Sequence, residues 1–242
     1  MLATLDDVQQ RFNVKTDRVS LGGFSGGGIG TWIFGPRYPD RFSALVPRAG
    51  IPPKAEEIVK NLNGLPIFVI HGDRDGTIPV ANSRSIVKEL GRLGIPHRYE
   101  ERHGGHEVFS ELNDEVLGWL ARKRRTLRSS FRYHGPVDGR PRIIHWVQVE
   151  GRGTVTVTAN VQARRKLVLK LETTGHVDRL VLWVTRKLVD MGRRNVDVVI
   201  NGRAMGFPLA ESVAAVLDGY AITRDLRRVF TARVVVDGSR IR

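Results

Sequence analysis

The sharpest chemical pattern in the sequence is Gly-Phe-Ser-Gly-Gly at residues 23–27. A short strand-like run precedes it at 18–23, and a helix-like run follows it at 27–38. A serine between a strand and a helix is typical of a nucleophile elbow, in which flanking glycines let the backbone turn sharply. This context predicts that Ser25 is a nucleophile. The N–H of Gly26, at the helix N-terminus, is then placed to donate to a developing oxyanion.

A second pattern, His-Gly-Asp-Arg-Asp at residues 71–75, follows the clearest predicted strand, at 65–71. A carboxylate in such a loop can accept a hydrogen bond from histidine Nδ1 and hold the ring in one tautomer. Asp73 and Asp75 are both candidates for this acid. We favour Asp75, because it lies further into the loop, whereas Asp73 has the position of a turn-forming residue. His71, at the end of the strand, is expected to be structural.

A third pattern, His-Gly-Gly-His at residues 103–106, lies between the last predicted strand of this region and its last predicted helix. A general-base histidine must sit on a loop that brings its Nε2 to the serine hydroxyl. His106 is favoured because the two glycines before it free the loop, and His103 is the alternative. The chain order of Ser25, Asp75 and His106 matches the nucleophile, acid, histidine order of α/β-hydrolases.

Strand-like and helix-like patterns alternate through the first 125 residues, and this alternation explains how the three motifs could meet. It predicts an α/β fold, with a parallel sheet and helices on both faces. The carboxyl ends of parallel strands share one edge of a sheet, so motifs that each follow a strand are expected to converge there. Strands are predicted at 42–46, 65–71 and 97–101, and helices at 54–62, 80–93 and 107–125.

The pattern changes after residue 125. Residues 126–141, rich in Arg, Ser, Gly and Pro, are predicted to be a linker between a hydrolase-like domain at 1–125 and a β-rich domain at 142–242. The second domain is predicted to be a small β-sandwich-like domain with one helix. Its predicted strands lie at 143–149, 154–159, 167–171, 179–184, 196–200 and 229–236, its helix near 209–217, and its turns at 150–153 and at Asn-Gly 201–202.

Amino-acid composition limits the kinds of partner that the chain is expected to bind. The chain has 242 residues, no cysteine and a formal net charge of +14. The absence of cysteine excludes disulfides and thiolate metal sites, and neither a metal nor a cofactor is expected. The basic residues form small groups without a nucleic-acid-binding signature, so we expect a solvated basic surface and neither a nucleic-acid nor a membrane partner. The N-terminus lacks a signal-peptide pattern, so a cytoplasmic location is the default expectation.

Aromatic residues in the predicted β-rich domain have two interpretations. Trp146 and Trp183 lie in predicted strands. Large aromatic side chains in such strands most often belong to the core, and we favour that interpretation. The alternative is that they stack on sugars of a glycan.

The three motifs resemble those of α/β-hydrolase serine esterases and of prolyl-oligopeptidase-like peptidases, over roughly residues 1–125. This resemblance implies that Ser25 is the nucleophile, Asp75 the acid, His106 the base and Gly26 one oxyanion donor. The stretches at 142–148, 181–184 and 198–202 resemble the β-rich extension of some bacterial predicted peptidases and esterases of this group.

The chain departs from this resemblance at its start. Family members have several strands before the elbow strand, and a loop among them supplies the second oxyanion donor, whereas only residues 1–17 precede that strand here. We expect either a truncated form or a site completed by a neighbouring chain or by a rearranged element. A bare sheet edge invites pairing with another chain, so we predict a homo-oligomer, which light scattering can test.

Three functions are compatible with these patterns. We favour a serine hydrolase that cleaves a small-molecule or polymeric carboxylic ester through an acyl-enzyme intermediate. A prolyl-oligopeptidase-like peptidase would use the same three side chains, but no gating domain supports restricted access for peptides. A non-catalytic binding protein with a hydrolase shell is the third, and retention of all three groups argues against it.

Overall fold

The chain forms two compact units in a computed structural model that describes residues 2–51, 59–62, 64–138 and 142–241. One unit is Asp17–Thr126, and the other is Leu127–Arg242 together with the N-terminal segment that ends at Thr16. This segment contains α1 (Leu2–Arg11), and the Thr16 hydroxyl donates to Asp225 Oδ1 at 2.6 Å. The sequence interpretation had grouped residues 1–16 with the first domain. Among the described helices, none is long and apolar enough to span a membrane.

The unit Asp17–Thr126 is built on a parallel sheet, as the alternating pattern predicted. Its strands lie side by side in chain order, and each neighbouring pair is parallel. A 3-10 helix at Thr16–Arg18 precedes the sheet, and two others, Val59–Leu62 and Ser110–Leu112, lie in its connections. The main elements are β1 (Leu21–Phe24), α2 (Gly26–Arg37), β2 (Leu45–Arg48), β3 (Ile67–Gly72), α3 (Ala81–Arg92), β4 (His97–Arg102) and α4 (Asn113–Ala121).

Helices cover both faces of this sheet. Successive side chains of a strand point to opposite faces, so each strand can pack against helices on both sides. On one face, Phe68 of β3 packs edge-on against Trp119 of α4, with ring centroids 5.5 Å apart. On the other face, α2 approaches β2 so closely that a Cβ on Gly35 would lie 2.4 Å from Leu45 Cδ1. The α/β fold class is therefore confirmed.

Two predicted helices of this unit differ from the structure. The helix predicted at 54–62 falls mostly outside the described residues, and Val59–Leu62 is a 3-10 helix. The helix predicted at 107–125 begins only at Asn113 and ends at Ala121. Its early start was wrong because Phe109 has a left-handed backbone, with φ 52°, which interrupts the helix before the 3-10 turn.

The unit that contains Leu127–Arg242 is β-rich, with one α-helix among its described residues after residue 126. Its elements are β5 (Ser130–Asp138), β6 (Ile143–Ile144), β7 (Val147–Gln162), β8 (Lys166–Thr173), β9 (His176–Val184), β10 (Asn195–Ile200), β11 (Arg203–Pro208), α5 (Val213–Thr223) and β12 (Ala232–Asp237). The strands form one eight-stranded sheet in the order β11-β10-β8-β7-β9-β12, and β5 and β6 also pair with β7. The pairs are antiparallel apart from β8–β10.

The segment predicted as a linker at 126–141 is mostly strand. β5 pairs with β7 from Ser130 opposite Asn160 onwards. Its alternate side chains Phe131 and Tyr133 are buried in the core, at 4% and 1% exposure. The linker prediction is therefore wrong for residues 130–138, because polar and Gly/Pro residues masked an alternating apolar pattern that the core satisfies.

The turn predicted at 150–153 is also absent from the structure. β7 runs through this stretch with an irregularity between Glu150 and Gly151. A Cβ on Gly151 would lie 2.0 Å from the carbonyl oxygen of His176, and the φ of Gly151 is 150°. Gly151 thus allows a β-bulge at a point where two strands approach closely. A glycine in a bulge and a glycine in a turn look alike in the sequence. The hairpin predicted at Asn201-Gly202 does join β10 to β11, with φ values of 50° and 85°.

The two tryptophans of the predicted strands belong to the core. Trp146 and Trp183 are 0% and 1% exposed. The indole N–H of Trp146 donates to the carbonyl oxygen of Arg128 at 3.0 Å, and that of Trp183 to Gln148 Oε1 at 2.8 Å. Side chains this buried offer no ring face for sugar stacking. Among the basic residues expected on the surface, Arg228 is also buried and donates to the carbonyl oxygen of His145 at 2.7 Å.

Candidate active site

Ser25 lies at a sharp turn between β1 and α2. Its backbone has φ 54° and ψ −117°, which is strained for a residue with a side chain. The N–H of Ser25 donates to the carbonyl oxygen of Arg48 at 3.0 Å, which holds the turn against β2. A Cβ on Gly23 would lie 2.4 Å from the carbonyl carbon of Gly27, so glycine is required at position 23. A Cβ on Gly26 or Gly27 would meet nothing within 4 Å.

Asp75 lies in the loop between β3 and α3, and its side chain is fully buried. Its Oδ1 accepts hydrogen bonds from the N–H groups of Thr77 and Ile78, both at 2.8 Å. Its Oδ2 is 2.7 Å from His106 Nδ1 and 3.2 Å from His71 Nε2. Burial alone would raise the pKa of Asp75, but the hydrogen bonds from the His106 ring and the two backbone N–H groups outweigh it. The pKa of Asp75 is therefore lowered, and the carboxylate stays ionised.

His106 lies in the loop between β4 and α4 and connects the other two predicted residues. An ionised carboxylate can only accept, so Nδ1 of His106 carries a hydrogen and donates to Asp75. Nε2 then has a free lone pair and accepts from the Ser25 hydroxyl at 2.9 Å. The ring of Phe24 packs against the imidazole, with centroids 4.7 Å apart. The structure thus places Ser25, His106 and Asp75 in one hydrogen-bonded chain at the carboxyl edge of the sheet.

The loop that holds Asp75, between β3 and α3, is called the acid loop here, and the loop that holds His106, between β4 and α4, the histidine loop. Hydrogen bonds join the two loops. The N–H of Arg74 donates to the carbonyl oxygen of Gly104 at 2.9 Å, and the N–H of Asp73 to that of Arg102 at 2.8 Å. A Cβ on Gly72 would lie 2.2 Å from the carbonyl oxygen of Gly105. The sequence interpretation was that the two glycines free the histidine loop. In the structure this loop is held against the acid loop, so close packing rather than freedom explains the glycine content here.

The two alternative site residues pair with each other. His103 Nδ1 is 3.0 Å from Asp73 Oδ2, and Asp73 Oδ1 accepts from the N–H of Gly104 at 3.0 Å. The side chain of His103 is 73% exposed, whereas that of His106 is 21% exposed. The hydrogen bond from His103 and then that from Gly104 lower the pKa of Asp73. This outer pair connects the acid and histidine loops.

Arg48, at the carboxyl end of β2, is a residue of the site that the sequence interpretation missed. Its Nη1 donates to the carbonyl oxygen of Val108 and its Nη2 to Asn113 Oδ1, both at 2.8 Å. Partial burial lowers the pKa of Arg48, and the charge of Glu111 opposes this shift. Arg48 therefore binds the serine turn through its carbonyl group and the segment after His106 through its side chain. A charged residue directly after an apolar strand end was the signal that could have identified it.

Gly26 is the first residue of α2. The first N–H groups of a helix have no acceptor within the helix, and the helix dipole favours negative charge beside them. The N–H of Ser25 is already engaged by Arg48, so the N–H of Gly26 is the better placed of the two for an oxyanion. The assignment of Gly26 as an oxyanion donor stays a prediction. Across the described residues, no group of three or more His, Asp or Glu side chains could hold a metal ion.

Sequence comparison connects this geometry to a family. Residues 1–116 match the sequence profile of the phospholipase/carboxylesterase family. An uncharacterised secreted protein of the fungus Arthroderma benhamiae is 29% identical over 120 residues, which cover 38% of this chain and 13% of that protein. This chain therefore spans only a small part of the length of this curated relative.

Solved structures of several hydrolases are similar to about half of this chain. A thermostable esterase is 28% identical with a TM-score of 0.44, and the match covers 51% of this chain and 36% of the esterase. Another esterase is 27% identical with a TM-score of 0.44, over 49% of this chain and 56% of the other. The S-formylglutathione hydrolase of Staphylococcus aureus is 18% identical with a TM-score of 0.44, over 50% of this chain and 59% of the enzyme. Over residues 1–116 the chain is therefore similar in sequence to the phospholipase/carboxylesterase family.

Proposed function

We propose that this chain is a serine hydrolase that cleaves carboxylic ester bonds through an acyl-enzyme intermediate. The observation that carries the proposal is the hydrogen-bonded chain from Ser25 Oγ through His106 to the buried Asp75 carboxylate. The strained turn that presents Ser25 and the family match of residues 1–116 support it.

In the first half of the proposed reaction, Ser25 Oγ attacks the ester carbonyl carbon while His106 Nε2 takes the hydroxyl proton. The carbonyl oxygen becomes an oxyanion, and the N–H of Gly26 donates to it. Asp75 holds the His106 ring in one tautomer and stabilises the imidazolium that forms. The tetrahedral intermediate then collapses: the bond to the alcohol oxygen breaks, His106 returns its proton to that oxygen, and the acyl group remains on Ser25.

In the second half, water replaces the alcohol. His106 removes a proton from the water as its oxygen attacks the acyl carbon. Collapse of the second tetrahedral intermediate breaks the bond to Ser25 Oγ, which regains its proton from His106. The products are a carboxylic acid and the unchanged enzyme. The buried carboxylate is suited to this cycle, because its hydrogen bonds keep it ionised beside the imidazolium.

The test is hydrolysis of short-chain and medium-chain p-nitrophenyl esters by the full chain beside a Ser25→Ala variant. We expect turnover by the wild type and a fall in kcat of about a million-fold in the variant. A fluorophosphonate probe should label the wild type at Ser25 and leave the variant unlabelled. A folded wild type that neither hydrolyses the esters nor reacts with the probe would contradict the proposal.

A further inference from the structure

His71 is a buried titratable side chain that the proposed reaction does not use. It lies in β3, and its side chain is 0% exposed. Its ring nitrogens have polar partners on two sides, the acid loop on one and Ser83 of α3 on the other. A buried imidazole with both nitrogens bonded is held in one orientation, and its surroundings decide which nitrogen carries hydrogen.

The oxygen atoms that His71 contacts in the acid loop determine that its Nε2 carries the hydrogen. This nitrogen is 2.8 Å from the carbonyl oxygen of Ile78 and 3.2 Å from Asp75 Oδ2. Both oxygens can only accept while Asp75 is ionised, so Nε2 must donate. The longer contact is with the same Oδ2 that accepts from His106.

Ser83 is the hydrogen-bond partner of the other ring nitrogen of His71. Its Oγ is 2.6 Å from His71 Nδ1, and the residue is 0% exposed. When Nε2 carries the single hydrogen of the neutral ring, Nδ1 has a lone pair and the hydroxyl of Ser83 can donate to it. The other tautomer would place a hydrogen on Nδ1, which the Ser83 hydroxyl could accept, but it would leave Nε2 without a hydrogen to donate to the acid loop. The acid loop therefore selects the tautomer, and Ser83 completes the hydrogen bonding of the ring.

We propose that His71 and Ser83 are positioning residues for the Asp75 carboxylate. Backbone N–H groups fix Oδ1, and His71 Nε2 contacts Oδ2 at 3.2 Å, so that the carboxylate meets His106 in one orientation. This inference rests on the proposed function, because it assigns the two residues to the same reaction. Contacts then connect five side chains: hydrogen bonds join Ser83 to His71, Asp75 to His106 and His106 to Ser25, and a 3.2 Å contact joins His71 Nε2 to Asp75 Oδ2.

The kinetic test measures kcat and KM of full-chain variants on p-nitrophenyl acetate. Removal of the serine hydroxyl in Ser83→Ala should lower kcat about tenfold, and removal of both ring nitrogens in His71→Leu about a hundredfold, with KM unchanged, as for other groups that orient a reacting side chain. His71→Gln keeps an N–H donor near the position of Nε2 and should recover part of that loss.

A matched control is Ser43→Ala. Ser43 is also a buried serine, and its hydroxyl donates to the carbonyl oxygen of Val19 at 3.1 Å, outside the acid and histidine loops. Its loss should leave kcat unchanged. A general sensitivity of kcat to the loss of any buried hydroxyl would appear in this variant as well, and would overturn the specific role of Ser83.

Nuclear magnetic resonance gives a second readout that does not depend on activity. The imidazole nitrogen and carbon shifts of His71, assigned by comparison with His71→Gln, report which nitrogen carries hydrogen. We expect hydrogen on Nε2 in the wild type and in Ser83→Ala, and a changed Nδ1 shift in Ser83→Ala, because that nitrogen has lost its hydrogen-bond donor. Hydrogen on Nδ1 in the wild type would overturn the inference.

The outcomes separate this inference from the proposed function. A wild type that hydrolyses esters, together with a folded His71→Leu variant of unchanged kcat, overturns the inference alone. If His71→Leu does not fold by circular dichroism, Ser83→Ala decides: unchanged kcat and an unchanged Nδ1 shift overturn it. A wild type that is inert toward esters and toward the fluorophosphonate probe contradicts the proposed function, and the positioning role with it, even where His71 carries hydrogen on Nε2.

Discussion

Two histidine–carboxylate pairs lie on the same two loops, and they differ in burial. The inner pair, Asp75 with His106, has a fully buried carboxylate and an imidazole whose second nitrogen contacts Ser25. The outer pair, Asp73 with His103, is 32% and 73% exposed. The residue types and the loops are the same, so the chemistry available to each pair is set by its surroundings.

The difference has an energetic consequence for each pair. An exposed ion pair contributes little to stability, because water competes for both partners. A buried carboxylate must be surrounded by donors, and Asp75 has two backbone N–H groups and two imidazoles near its oxygens. The inner pair is therefore held in the geometry that the proposed proton transfer requires, and the outer pair joins the two loops.

The largest expected effect contrasts the two histidines. His106→Asn should lower kcat about a million-fold, because the general base is lost, whereas His103→Asn should change kcat by less than about threefold. Steady-state kinetics on p-nitrophenyl acetate measures both. Comparable losses in the two variants would show that the outer pair takes part in the reaction.

The second contrast concerns the two carboxylates. Asp75→Asn should lower kcat about ten-thousand-fold, because the amide no longer enforces the tautomer of His106 that leaves Nε2 free to accept a proton. Asp73→Asn removes an exposed partner of His103 and should leave kcat within about threefold of the wild type. Circular dichroism of both variants serves as the folding control. A larger loss in Asp73→Asn than in Asp75→Asn would reverse the assignment of the acid.

The third prediction concerns a substitution that should separate the two loops and so disturb both pairs. Gly72→Ala would place a Cβ 2.2 Å from the carbonyl oxygen of Gly105, so the two loops must move apart. We expect a loss of about 1–3 kcal/mol in the free energy of unfolding, together with a fall in kcat. The matched control is Gly76→Ala, whose Cβ would meet nothing within 4 Å. Urea unfolding of the two variants measures the difference, and equal midpoints would contradict the close approach.

The smallest expected effect is a dependence of stability on acid pH. The pKa values of Asp75 and Asp73 are both lowered in the folded chain. The stabilisation from each carboxylate is therefore present above its unfolded pKa of about 4 and is lost as the pH falls through the lower folded value. Thermal unfolding between about pH 2 and pH 6 should show less acid sensitivity in Asp73→Asn than in the wild type. An identical pH profile would mean that the outer pair adds no measurable stability.

The β-rich unit contains one element that the sequence predicted correctly and one that it did not. The Asn201-Gly202 hairpin was predictable because its two residues tolerate the positive φ values that the turn requires. The strand of residues 130–138 was not, because the apolar side chains of Phe131 and Tyr133 alternate with polar and Gly/Pro residues that also suit a linker. Pairing with β7, which lies further along the chain, makes this segment a strand.

The sequence by itself determined the alternation that builds the parallel sheet and the three loops at its carboxyl edge. It also singled out Ser25, Asp75 and His106, because residue type, order and position after a strand are local properties. The tertiary structure alone decided that Asp75 is buried against His71 while Asp73 pairs with an exposed histidine, and that Arg48 joins the serine turn to the segment after His106. Position in the loop favoured Asp75 over Asp73, but the sequence does not give the burial and the partners from other parts of the chain in which the two carboxylates differ.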